Sequence, residues 1–134
     1  MSTATSREIV REGVQRVWKG DLGLIADVYV DHNMAPGLPP GREGLAALHQ
    51  LTLAAFPDYD VSLEQLIADG DLVAVRMINR GTNTGSFIGN QPTGKQATWT
   101  TIAIFRVADG MIVERWGLID LLSLFGQLGL RPPS

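Results

Sequence analysis

The chain has 134 residues, enough for one domain and one core, and 45% hydrophobic with 19% charged residues argues against disorder. A net charge of −3 with no Lys/Arg run gives no basic stripe for nucleic acid, and the absence of cysteine excludes disulfides and thiolate chemistry. His32 and His49 lack metal-ligand spacing, no apolar run is long enough to span a membrane, and the start MSTATSREIVREG lacks a secretory signal; a soluble cytoplasmic protein without metal is expected.

Thr5-Ser-Arg-Glu8 fits a capping box, in which a hydroxyl and a carboxylate three residues apart satisfy free backbone N–H groups. Val10, Val14, Val17 and Trp18 follow at helical spacing, and Gly20 ends this first helix. Asp21 then caps a short second helix with Leu22, Ile25 and Tyr29 on one side. Three prolines and two glycines make residues 31–41 a loop. Residues 42–56 read as a third helix, closed by Pro57.

Beyond Pro57 the period changes to that of strands. Val61, Leu63 and Ile67 open the first, and Asp69-Gly70-Asp71 is a hairpin turn. Residues 72–84 form the second strand, 85–94 a wide turn-rich loop, and 96–107 the third strand. Asp109-Gly110 is another hairpin turn, and residues 111–118 are the fourth strand. Helices followed by antiparallel strands argue for α+β. Long curved strands over three N-terminal helices predict a cone with a pocket, its sheet built from residues 61–120. There is no internal repeat or linker, so residues 1–134 form a single domain.

The most informative acid is Asp120. It ends an apolar strand and precedes the apolar run 121–130. A carboxylate among apolar groups bears a desolvation cost in its charged form, which raises its pKa and suits acid–base chemistry. The alternative is a helix cap. Strand alternation puts Trp116, Leu118 and Asp120 on one face. Trp99 and Trp116 either fill the core or line a cavity and stack on a flat ligand, with Tyr29, Phe56 and Phe87 as further aromatics of that kind. His32, between Asp31 and Asn33, is either a structural loop residue or a polar group at the cavity mouth, partnered by Asp31 or Asp120. Asn79 and Asn83 share strand parity. If that face is inward, both are buried amides that need partners and can hold a carbonyl, though Asn83 can equally serve the following loop. Arg76, Arg80, Arg106 and Arg115 read as charges on the outer sheet face. That face would expose apolar strand residues unless a second copy covers it, so a homodimer or homotetramer is expected.

Many short segments, in order along the chain, resemble the SnoaL-like polyketide cyclases of the NTF2-like superfamily. They include Tyr29-Val-Asp-His-Asn33, Pro40-Gly-Arg-Glu-Gly44, Phe56-Pro-Asp58, Arg80-Gly-Thr-Asn-Thr-Gly85, Phe105-Arg-Val-Ala-Asp-Gly110, Glu114-Arg-Trp116, Asp120 and Gln127-Leu-Gly129. The resemblance implies a cone-shaped, curved antiparallel sheet wrapped around helices, an NTF2-like (cystatin-like) α+β barrel with a deep cavity. It implies closure of a hydrophobic, polyketide-like substrate by intramolecular aldol condensation, without metal or organic cofactor. The family's acid/base aspartate falls on Asp120, and His32, Asn33, Phe56, Asn79, Asn83, Trp99 and Trp116 are the candidate substrate contacts. Many relatives read Gly-Thr-His-Thr-Gly at 81–85; Asn83 replaces that His, and an amide cannot titrate near neutral pH. The same architecture hosts isomerases that move a proton and hydrolases that open epoxides, and a non-enzymatic ligand-binding module shares it.

Overall fold

The computed structural model describes residues 3–132. Helix α1 (Thr3–Val17) is followed by β1 (Ile25–Asp31), α2 (Arg42–Ala55), β2 (Asp60–Asp69), β3 (Leu72–Thr82), β4 (Gln96–Ala108), β5 (Met111–Ile119) and α3 (Leu121–Leu128). The strands form one open sheet in the order β1-β5-β4-β3-β2. β2 through β5 are antiparallel hairpin neighbours, and β1 joins the edge parallel to β5. The sheet is therefore mixed, which corrects the expectation of a purely antiparallel one.

Two further corrections concern the N-terminal half. The segment after Asp21 is a strand, not a second helix, so two helices precede β2 and the third follows β5. Helix α1 already runs from Thr3, which places Thr5 inside its first turn instead of at a cap. The expected helix at 42–56 and the four later strands lie within one or two residues of their places.

Alternation sorts the sheet into two faces. Val73, Val75, Met77 and Asn79 of β3 and Ala97, Trp99, Thr101, Ala103, Phe105 and Val107 of β4 are buried on the inner face. Val10, Val14 and Val17 of α1 lie against one end of it with Val73, Val75, Phe105, Val107 and Ile112. At the other end Phe56, Ala97 and Trp99 pack with Leu124 and Leu128 of α3. Gln127 ties α3 to β4, donating to Thr98 O at 2.7 Å and accepting from Thr98 N at 2.9 Å.

A bulge decides which β5 residues face inward. Arg106 pairs with Glu114 but Val107 pairs with Ile112, so Val113 is an extra residue. The alternation of β5 is inverted beyond it. Arg115, Gly117 and Ile119 stand opposite the inner-face residues Phe105, Ala103 and Thr101, while Trp116 and Leu118 stand opposite Ile104 and Ile102 on the outer face.

Candidate active site

Two sets of polar groups, one on β1 and β5 and one around β3 and β4, form a polar belt in the otherwise apolar interior. Asp31 is 4% exposed and accepts from Arg115 Nη1 at 3.1 Å. Its other oxygen accepts from Asn33 N at 2.9 Å, closing a local turn. On the next strands Asn79 donates through Nδ2 to Trp99 O and Thr101 Oγ1, both at 3.0 Å, and accepts from the Tyr59 hydroxyl. Tyr29 and Tyr59 belong to the same interior. Burial pushes both phenols well above their usual range; nearby acids add to this (Asp31 for Tyr29, Asp60 for Tyr59), and Arg115 opposes it in both. One guanidinium thus acts on both phenols.

Asp120 is placed differently from expectation. It is exposed, and its Oδ1 caps α3 by accepting from Ser123 N at 3.1 Å. Expected burial among apolar groups is contradicted because the Val113 bulge turns Trp116, Leu118 and Asp120 away from the inner face together. Asp120 still borders the belt: its N–H donates to Thr100 O at 2.9 Å, and Ile119 before it pairs with the belt residue Thr101.

The other candidates separate into four places. Asn79 and Trp99 are interior. Phe56 is core, with its ring 5.0 Å from that of Trp99 and 5.4 Å from that of Phe87. His32 and Trp116 sit together on the outer side, rings stacked at 4.9 Å. The partner of His32 is Glu114 at 2.8 Å, not Asp31 or Asp120. Hydrogen bonds from His32 first, and then from Arg106, hold the Glu114 carboxyl below the usual range. Asn33 lies at the edge of the belt, accepting from Gly117 N at 2.9 Å. Asn83 is fully buried and saturated: it donates to Ala55 O at 3.3 Å and Gly85 O at 2.9 Å, and accepts from Thr93 N at 2.9 Å and Thr93 Oγ1 at 3.0 Å. Its amide ties the 85–94 loop to the end of α2 and has no donor left for a ligand.

Sequence reasoning passed over Tyr59 and Thr101, and it offered Asp31 only as a partner for His32. Asp31 shares parity with Tyr29 on β1, a signal available only once that segment is read as a strand. Arg115 is the plainest reversal: it belongs to the inner face, not the outer one. Two open grooves lie outside the belt, one of about 290 Å³ lined by Val17, Leu22, Ala46 and His49, the other of about 190 Å³ lined by Asp58, Thr82, Ala97 and Thr98. Among the described residues no cluster of His, Cys, Asp and Glu has the form of a metal site, and no helix is long and apolar enough to cross a membrane.

A helix-backed open sheet carrying a polar belt within an aromatic interior defines an α+β protein of the NTF2-like type. TsrD from Streptomyces laurentii has this fold, with a TM-score of 0.85 at 25% identity over 98% of this chain and 99% of its own. AclR from Streptomyces galilaeus, a candidate hydroxylase, gives 0.82 at 28% identity over 98% and 100%. IdmH from Streptomyces antibioticus, a candidate polyketide cyclase, gives 0.79 at 35% identity over 93% and 99%. No protein of curated function matches the sequence. The SnoaL-like polyketide cyclase model matches residues 10–128, and the chain belongs to that family.

Proposed function

We propose that this protein is a polyketide cyclase that closes a ring by intramolecular aldol addition, with Asp120 moving the proton. The observation that carries the reading is the family match over residues 10–128, which includes the β5–α3 junction holding Asp120. A hydrogen between two carbonyl groups is acidic enough for a carboxylate to remove. The C–H electron pair becomes an enolate, whose carbon attacks a ketone carbon of the same molecule. The new alkoxide then takes the proton back from Asp120. No atom is gained or lost, and no redox step is involved. Ile119, Leu121 and Leu122, exposed on either side of Asp120, supply an apolar surface that holds the reacting carbons together, the proximity contribution.

The test is deuterium exchange. In heavy water the enzyme should catalyse exchange at the central carbon of a 1-aryl-1,3-diketone, followed by NMR. Asp120→Asn should slow this at least about a hundredfold, the low end of general acid–base contributions, with the fold retained because Asn also caps helices. Equal rates in the two proteins would remove Asp120 from the chemistry.

A second reading rests on a specific observation. The interior holds an Asp31–Arg115 ion pair and a Tyr59–Asn79 hydrogen bond, and an acid, a cation and hydrogen-bonding groups are also what water activation for epoxide opening requires. The two reactions differ in the mass of their products.

A further inference from the structure

We propose that Asp120 works in a crevice between two copies of the chain: a second copy covers the outer sheet face and closes over Asp120, and one chain alone lacks a complete site. This rests on the carbon-acid reading above and deepens it.

The reason lies in where Asp120 stands. It is exposed, and it continues the outer-face row of Trp116 and Leu118 on β5. Ile119, Leu121 and Leu122 around it are exposed too, Leu122 at 73%. Neither of the two open grooves is lined by Asp120. An open surface leaves a carboxylate and an enolate fully hydrated, and a lone apolar wall lets a flexible chain lie in many poses. A cover expels that water and strengthens each polar contact beneath it. The chain's own helices α1 and α3 do not provide one, because their buried residues pack on the inner face.

The pattern of the outer face says what the cover is. Ile102 and Ile104 on β4 stand beside Leu118 and Trp116 on β5 as an exposed apolar stripe. Arg76 pairs with Ile102 and Arg80 with Thr98, so β3 puts cations along one flank. On the other flank, β5 carries Glu114 before the stripe and Asp120 after it. Cations on one side and acids on the other make the face complementary to a copy of itself turned about β4. Size then decides whether Asp120 is covered. A stable pairing buries about 800 Å² on each partner, a patch about 30 Å across. Asp120 lies two residues beyond Leu118, or about 7 Å along a strand. A patch centred on the Ile102–Leu118 pair therefore extends past Asp120 and onto the first turn of α3.

The chain has no cysteine, so a single introduced thiol reports on the crevice cleanly. Leu122→Cys is treated with N-ethylmaleimide at micromolar concentration, with light scattering on the same sample. The thiol should react at least about tenfold more slowly there than in the monomeric Leu118→Glu/Leu122→Cys variant. Ile102→Glu in place of Leu118→Glu gives a second route to the monomer, and circular dichroism checks that each variant is folded. Deuterium exchange per chain, measured without the cysteine, should fall at least about tenfold in either monomer although Asp120 is retained. A wild-type monomer would overturn the proposal and leave the outer face to a different partner. A thiol equally reactive in dimer and monomer, or full exchange in a folded monomer, would also overturn it. A shielded thiol in a dimer whose exchange ignores Asp120→Asn would sink the cyclase reading and leave the shared crevice standing.

Discussion

Asn83→Ala is expected to loosen the loop and destabilise the whole chain without touching the proton-transfer step. The substitution removes all four hydrogen bonds of a fully buried amide. Two partners retain other bonds: Ala55 O still accepts from Gly85 N, and Thr93 Oγ1 still accepts from Lys95 N. Thr93 N–H and Gly85 O are left stranded. At about 1–3 kcal/mol for each unmet buried group, and with both only partly buried, the loss is about 2–4 kcal/mol. Unfolding entropy near about 2.1 cal/mol/K per residue gives about 0.28 kcal/mol/K for this chain, so the midpoint should fall by about 7–14 °C. Asn83→His offers one donor and one acceptor and should recover about half of that. A thermal melt by circular dichroism measures the fall, and the pH–rate profile taken below the new midpoint should keep its shape. A midpoint within about 2 °C of wild type would refute the reasoning.

The outer face should hold a second copy of the chain. Ile102, Ile104, Trp116 and Leu118 are all exposed on it and are paired across β4 and β5. Light scattering at micromolar concentration should give at least a dimer, and Leu118→Glu should give a monomer; a wild-type monomer contradicts this. Acid should weaken the fold through Asp58 and Glu114. Hydrogen bonds from the Thr82 backbone N–H, and then its hydroxyl, hold Asp58 below its ordinary 3.8, and His32 first, then Arg106, hold Glu114 below 4.5. Carboxyls with depressed folded values stabilise above their ordinary range and lose that contribution as pH falls through the folded values. Urea midpoints should therefore drop below about pH 4.5, and less steeply in an Asp58→Asn/Glu114→Gln variant; an equal slope in the variant refutes the assignment.

The hairpins were the most readable part of the chain because their turns have local chemistry. Asp109 and Gly110 take φ of 51° and 76°, the left-handed conformation that such turns require, and β4, which leads into the turn, alternates cleanly. β1 was misread because it does not alternate. Ile25 and Ala26 are both buried and Asp27 and Val28 both exposed, so Leu22, Ile25 and Tyr29 fit a helical stripe equally well. The site suffered from a single residue. Val113 looks like any other strand valine, yet as a bulge it inverts everything from Glu114 onward, taking Trp116 out and bringing Arg115 in. Nothing local distinguishes a bulged valine from a paired one; the register across to β4 does. Asn79 was legible as an inward amide, but its bonds to Tyr59 and Thr101 depend on contacts between strands that sequence spacing does not supply.

The central claim is that the chain rearranges its substrate without adding anything to it. Mass spectrometry of the product tests this most directly, using an aromatic methyl ester that carries a poly-β-carbonyl side chain. Cyclisation predicts a product with the substrate's own mass, or one water less after dehydration, formed by wild-type protein and not by Asp120→Asn. A product heavier by one oxygen atom, or by one water, would contradict the account.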